Sequence, residues 1–293
     1  MISMNLVFEQ ILIIFGYVAV GLGAGKLGLV NPEQRKYLTR LCSDLMLPFT
    51  ILSAASMQVG ADGFRSLAIA MAVMFAVIGG TLILSMAVCR VLHAERKLSV
   101  GMTSLIAFPN LTFLGLPLCI ALFGEIAVLY NSAALIAFGD KISLKSVLTV
   151  PTVATFVLLG MLMLDLHWPA PVQTVMSNVG SMVTPMSLIV IGVMLSESDF
   201  LSIFREKAEY PVVIVRNFLV PLISLGILHF VPMTTPVRLC VLVFLSCPCA
   251  TMTSIYAIQT DTRPELCARS VLLSTLAFGI SLPLIIAAGQ LFL

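Results

Sequence analysis

The stretch "LIAFPNLTFLGLPL", residues 105–118, places a helix breaker and an amide inside a long apolar run. Pro109 removes a backbone hydrogen bond and clashes with the preceding turn, which costs about 3 kcal/mol in a helix interior. Within a bilayer, each freed backbone group and the amide of Asn110 need a partner, because hydrocarbon offers none. The stretch therefore predicts a transmembrane helix that is broken for a functional reason.

The composition indicates an integral membrane protein. Of the 293 residues, 59% are hydrophobic and 10% are charged, whereas soluble domains have about 25% charged residues. The mean hydropathy is +1.09. The first apolar run has no basic segment before it, so it is interpreted as a retained span and not as a signal peptide. The seven cysteines are interpreted as small buried side chains, and no appended soluble domain is expected.

An all-α protein of ten transmembrane helices is predicted, because a span needs roughly 20 mostly apolar residues. The predicted spans are 7–29, 34–57, 66–92, 98–122, 125–139, 147–165, 172–196, 208–231, 236–259 and 265–292.

The basic residues predict the orientation of these spans. Thirteen of the sixteen lie near odd-numbered connections, whereas Arg65 and Arg238 lie near even-numbered ones. Since Lys and Arg concentrate on the cytoplasmic side, both termini are expected on the other side of the membrane. The thirteen are Lys26, Arg35, Lys36, Arg40, Arg90, Arg96, Lys97, Lys141, Lys145, Arg205, Lys207, Arg263 and Arg269.

The prolines suggest that the chain contains two repeats of five spans, residues 1–139 and 140–293. Pro109-Asn110-Leu111-Thr112 aligns with Pro248-Cys249-Ala250-Thr251, and Pro48 in span two aligns with Pro185 in span seven. A unit with an odd number of spans reverses its orientation when repeated, so the repeat is inverted. Breaks at corresponding positions of inverted repeats indicate a transporter's binding site.

If the breaks in spans four and nine cross near the membrane midplane, two half-helix N-termini point their N–H groups and positive dipole ends at one place. This arrangement favours a carboxylate. The alternative is a pair of proline kinks whose freed backbone groups bond to neighbouring Ser or Thr side chains.

The polar residues beside the breaks are the main candidates for binding a substrate. Asn110 can donate two hydrogen bonds to a carboxylate or cap the second half-helix. Thr112 and Thr251 line the site or satisfy broken backbone, and Asn131 in span five lines the site or bonds to a neighbouring helix. The other candidates are Phe113, Leu114, Cys249, Ala250 and Met252, beside the crossover prolines Pro109 and Pro248.

Two charged residues lie deep inside predicted spans, Asp44 in span two and Arg216 in span eight. A charge at the bilayer centre costs at least about 2.5–3.5 kcal/mol, so such residues are functional candidates. Arg216 either attracts an anionic substrate or forms a salt bridge, for which Asp44 is one partner. Asp44 is the leading candidate for ion coupling, since a buried carboxylate can carry a proton; the alternative is a structural charge.

Other chemistries fit the sequence poorly. Cys247-Pro248-Cys249 can in principle bind Cu(I), but the pumps that use such a triplet need large soluble ATPase domains. The glycine-rich stretch 21–28 does not fit a phosphate-binding loop, because Leu27 follows Lys26. We expect no enzyme activity, no catalytic residues, no metal site, no cofactor and no nucleic-acid partner.

The segment "FPNLTFLGLPLCIALFG", residues 108–124, resembles the crossover span of the auxin efflux carrier family. "TPMSLIVIGVMLS" (184–196) and "VIVRNFLVPLISL" (213–225) are similar too. Two features depart from the family pattern: Thr112 stands where many members have glycine, and the segment 137–151 is short. The resemblance implies a secondary carrier with the fold of bile-acid/sodium symporters. Spans 1, 2, 6 and 7 would form its scaffold, and the other spans an elevator-type transport domain.

The resemblance also implies the substrate and setting of the carrier. Its substrates would be small organic anions, auxin-like acids or malonate- and malate-like carboxylates, moved across a plasma or bacterial inner membrane. The coupling ion is left open between H⁺ and Na⁺. Homologous folds often form homodimers, although this sequence has no evident dimerisation motif.

Two alternatives remain for the function. One is a sodium-coupled symporter of organic anions of the bile-acid type, and the other is a membrane receptor or sensor that does not transport. Oxygens for a sodium site are offered by Thr103, Ser104, Thr251, Thr253 and Ser254.

Overall fold

The computed structural model describes residues 3–138, 149–197, 207–260 and 262–293. The predicted cytoplasmic residues Lys141, Lys145 and Arg205, and most of the short segment 137–151, lie outside the described residues. The described chain is helical and contains no β-strand.

Within the described residues, six helices are long and apolar enough to cross a membrane, so the all-helical membrane class predicted from the composition is confirmed. They are α1 (Met4–Lys26), α2 (Pro32–Ser56), α3 (Ala61–Val91), α8 (Ala170–Ser196), α9 (Glu209–His229) and α12 (Pro264–Phe292).

The remaining four predicted spans contain shorter helices. The predicted span 98–122 consists of α4 (Arg96–Ala107) and α5 (Leu111–Phe123), separated by a break. Spans five and six correspond to α6 (Ile126–Phe138) and α7 (Val150–Met163). The predicted span 236–259 consists of α10 (Thr235–Ser246) and α11 (Thr251–Thr260). The ten-span count and the inverted repeat of 1–139 and 140–293 stay predictions.

Three prolines are each preceded by a wide π-helical turn. The turns are Cys42–Met46 before Pro48, Leu111–Gly115 before Pro117 and Val215–Leu219 before Pro221. A proline has no N–H, and its ring clashes with the carbonyl four residues earlier. A π turn relieves that crowding, and such turns are frequent at functional sites. Asp44 and Arg216 lie in two of these turns.

The contacts divide the chain into two compact units. The first comprises residues 9–71 and 112–197, and it holds most of α1, α2 and α5 to α8. The second comprises residues 1–8, 72–111 and 198–293, and it holds most of α3 together with α4 and α9 to α12. In the second unit, α10 is buried continuously from Leu239 to Ser246, as expected for a helix that is apolar all round.

In the first unit, α2 and α8 touch backbone to backbone. The Thr50 hydroxyl donates to the Gly180 carbonyl at 2.8 Å. A Cβ atom at Gly180 would lie 2.8 Å from the Thr50 backbone, so glycine is required for this approach. Thr50 follows Pro48 by two residues, and Gly180 precedes Pro185 by five. The two spans that carry the aligned prolines therefore cross close to those prolines.

Candidate substrate site at the paired helix breaks

The two helix breaks lie side by side in the second unit. The N–H of Asn110 donates to the Pro248 carbonyl at 2.8 Å, and the N–H of Ala250 donates to the Phe108 carbonyl at 2.9 Å. Pro109 and Cys249 face each other between these bonds in an antiparallel bridge. The donors of both bonds, Asn110 and Ala250, are the residues that have an N–H, unlike the neighbouring prolines. The segments thus satisfy part of each other's broken backbone, which hydrocarbon could not do.

The side chains of Asn110 and Thr251 join the same two segments. Asn110 Nδ2 donates to Thr251 Oγ1 at 3.0 Å, and the two residues are only 3% and 5% exposed. Within the described chain, Thr251 is the partner of the Asn110 side chain. Since an amide has two N–H donors and an acceptor oxygen, one N–H and Oδ1 of Asn110 remain for a ligand.

Four helix ends meet at the breaks. Helices α4 and α10 end at Ala107 and Ser246, and helices α5 and α11 begin at Leu111 and Thr251. The first N–H groups of a helix have no partner within it, and an N-terminus carries about +0.5 elementary charge. The N–H groups of Leu111 and Thr253 already donate to the Pro109 and Ala250 carbonyls, at 2.9 and 3.1 Å. The beginnings of α5 and α11 still offer positive potential, which suits an anion.

Arg216 lies behind the breaks and binds the two helix C-termini. It is 1% exposed. Its Nε donates to the Cys247 carbonyl at 2.8 Å, and Nη1 donates to the Ile106 carbonyl at 3.1 Å. Its Nη2 donates to the Leu245 carbonyl. Among the described residues, no carboxylate forms an ion pair with Arg216.

A second buried network also holds the break between α10 and α11. The N–H of Cys249 donates to Ser274 Oγ at 3.0 Å, and this hydroxyl donates to Asn217 Oδ1 at 2.7 Å. Asn217 Nδ2 returns a bond to the Ser274 carbonyl at 2.9 Å. Asn217 and Ser274 were not among the site residues predicted from the sequence. The available signal was an amide next to Arg216, just ahead of Pro221, in a predicted apolar span.

Of the other candidates next to the breaks, Cys249 is buried, whereas Ala250 and Met252 are half-buried. The candidates Thr112, Phe113, Leu114 and Asn131 belong to the first unit. Thr112 is half-buried, and Phe113 and Leu114 are buried. There the Ser187 hydroxyl donates to the Phe113 carbonyl at 3.0 Å.

Asn131 is buried in α6, where it was expected either to line a site or to bond to a neighbouring helix. Its exposure is 0%, and neither Nδ2 nor Oδ1 has a hydrogen-bond partner in the described chain. An amide buried without partners is costly, so its donor and acceptor are both available for a polar ligand.

Asp44 forms a local ion pair on α2. Its side chain is 44% exposed, and Arg40 Nε donates to its Oδ2 at 3.2 Å. The Ser43 hydroxyl donates to Oδ1 at 3.0 Å. Arg40 lies one turn earlier on the same helix face, where an i,i+4 pair forms readily. Both carboxylate oxygens are thus satisfied locally, and a coupling role for Asp44 stays a prediction.

Two of the five hydroxyls considered for a sodium site donate within their own helices. Ser104 Oγ donates to the Val100 carbonyl at 3.0 Å, and Ser254 Oγ donates to the Thr251 carbonyl at 2.7 Å. Thr103 Oγ1 lies 3.9 Å from the Cys89 sulfur.

The chain has apolar helices long enough to span a membrane, and two broken helices that are hydrogen-bonded to each other at their breaks. These features are typical of an integral membrane protein that transports solutes. The sequence model of the family described as "Membrane transport protein" matches residues 6–148 and 132–286. The chain belongs to this membrane transport family, which confirms its resemblance to the auxin efflux carriers. No curated protein matches the chain.

Proposed function

We propose that this membrane transport protein is a secondary carrier of small organic anions, which bind at the paired breaks. The observation that carries the proposal is the pairing itself: Asn110 and Thr251 are hydrogen-bonded at the point where two helix N-termini begin. Malonate- and malate-like carboxylates, or auxin-like acids, are the proposed substrates.

The proposed substrate contacts start from the donors at the breaks. The free N–H of Asn110 and the first backbone N–H groups of α11 would bind the carboxylate, with Thr251 beside them. Cys249 and Ala250 are small enough to allow the substrate close to the backbone, and Met252 would shape the remainder of the site. Thr112, Phe113, Leu114 and Asn131 stay substrate contacts predicted from the sequence.

The finer mechanism is part of the same proposal. The segments at the breaks would move with an elevator-type transport domain and expose the substrate to each side of the membrane in turn. Transport would be coupled to H⁺ or Na⁺. The carrier would lie in the plasma membrane or a bacterial inner membrane with both termini on the non-cytoplasmic side, and it would form a homodimer.

Uptake of labelled malonate into proteoliposomes tests this function. Wild-type protein should show saturable uptake, measured without a gradient, with a proton gradient and with a sodium gradient. The gradient that accelerates uptake identifies the coupling ion. Asn110→Ala should abolish uptake, because it removes the free donor at the break.

The matched control is Asn178→Ala, since Asn178 is an exposed asparagine on α8. It should transport like the wild type and keep the wild-type unfolding temperature. Asn110→Ala should remain folded, with an unfolding temperature lowered by the loss of its bond to Thr251. If neither malonate nor competing carboxylic acids bind or move, carboxylates are not the substrates. If Asn110→Ala transports normally, the substrate does not bind at the breaks.

A further inference from the structure

We infer that Arg216 gives the paired breaks their net positive charge, and hence their preference for anions, without contacting the substrate. This inference rests on the proposed function, because it concerns the selectivity of the same site. The helix ends alone cannot give the site a net positive charge, whereas the buried Arg216 behind it can.

The charges at the breaks show why an additional cation is needed. Each helix N-terminus contributes about +0.5 elementary charge and each C-terminus about −0.5. Two N-termini and two C-termini meet here, at Leu111, Thr251, Ala107 and Ser246. Their dipole charges therefore cancel, and a site made only of four helix ends would have little preference for an anion.

Arg216 removes this cancellation by binding the negative ends. Its three carbonyl partners are Ile106 at the end of α4 and Leu245 and Cys247 at the end of α10. One guanidinium charge offsets two half-charges of the opposite sign. The positive N-terminal ends of α5 and α11 then remain uncompensated, with a sum of about +1, which matches one carboxylate.

The charge of Arg216 is not neutralised by another side chain of the described residues. The other buried ionised residue in this part of the chain is Glu209, whose Oε1 accepts from Arg269 Nε at 2.8 Å. In a buried, weakly polar environment the Arg216 charge is poorly screened, so it acts on a neighbouring anion without direct contact.

The test compares an anion with a neutral ligand of the same shape. Malonate and its diamide, malonamide, are titrated calorimetrically into wild-type protein, Arg216→Gln and Arg216→Lys in detergent. Arg216→Gln keeps hydrogen-bond donors but loses the charge, so the preference for malonate over malonamide should fall about tenfold or more. Arg216→Lys keeps the charge and should keep most of the preference.

A purely structural role would give a different result. If Arg216→Gln weakens both ligands by the same factor, or leaves the preference unchanged, the inference is wrong. A wild-type protein that binds both ligands equally also contradicts it. If the wild type binds neither ligand, malonate does not bind at the breaks, and both the proposed site and the inference are wrong.

Asn217→Asp tests the same charge if Arg216→Gln does not fold. This substitution adds a carboxyl group one residue from Arg216, within the network that reaches Cys249 through Ser274. It also replaces the Asn217 Nδ2 donor to the Ser274 carbonyl. It should reduce the preference for malonate at neutral pH. An unchanged preference in folded Asn217→Asp would overturn the inference.

Discussion

Asn110 donates a hydrogen bond to Thr251 across 3.0 Å, although 141 residues separate them in the chain. Each residue lies where the second half of a broken helix begins. Together with the two backbone bonds between residues 108–110 and 248–250, this contact joins the two breaks into one local structure. The predictions below test that structure and the packing that surrounds it.

Replacing Thr251 by valine should destabilise the protein by about 1–3 kcal/mol, because a buried donor of Asn110 loses its acceptor. Thr251→Ser keeps the hydroxyl and should cost well under half as much. The measurement is the free energy of unfolding by denaturant in detergent micelles. Equal losses for the two variants would show that the hydroxyl contributes no more to stability than the methyl group, which contradicts the prediction.

Ser274→Ala should be destabilising, whereas Ser270→Ala, one turn earlier on α12, should be nearly neutral. Ser274 accepts from the Cys249 N–H and donates to Asn217, so its removal leaves two buried polar groups without partners, at about 1–3 kcal/mol each. The Ser270 hydroxyl is buried without a hydrogen-bond partner in the described chain. Thermal unfolding of both variants checks the contrast. Similar unfolding temperatures would contradict the network described here.

Gly180→Ala should destabilise the protein by about 1–3 kcal/mol, because its Cβ would press on the Thr50 backbone and force α2 and α8 apart. Gly160→Ala is the matched control, since Gly160 lies in helix α7 with no atom within 4 Å of its Cβ position. That substitution should stabilise α7 by about 0.5–1 kcal/mol through helix propensity. Opposite signs for the two variants are expected in chemical unfolding, and a stabilising Gly180→Ala would rule out the close crossing.

The helix breaks were predictable because proline leaves a strong local signal. Pro109 and Pro248 each remove a backbone donor, and each is followed by a small or polar residue in an apolar run. The prediction that both breaks matter together came from the alignment of the two segments. Their direct backbone pairing was beyond the sequence, because any residue can supply the carbonyl and N–H groups involved.

The hydrogen-bond partners of Arg216 were not predictable from the sequence either, because they are backbone groups. Arg216 binds three backbone carbonyls. Every residue has a backbone carbonyl, so the sequence does not show which ones are bound. Side-chain or substrate partners were therefore predicted for Arg216. Asp44 instead pairs with Arg40, one turn earlier on the same helix.

The most direct test of the central claim is malonate binding to Asn110→Asp, measured by calorimetry beside Asn178→Asp. The aspartate has nearly the shape of asparagine, but it replaces the donors at the breaks with a negative charge. We expect folded Asn110→Asp to lose malonate binding and Asn178→Asp to bind like the wild type. Wild-type affinity in Asn110→Asp would contradict the claim that a carboxylate binds at the paired breaks.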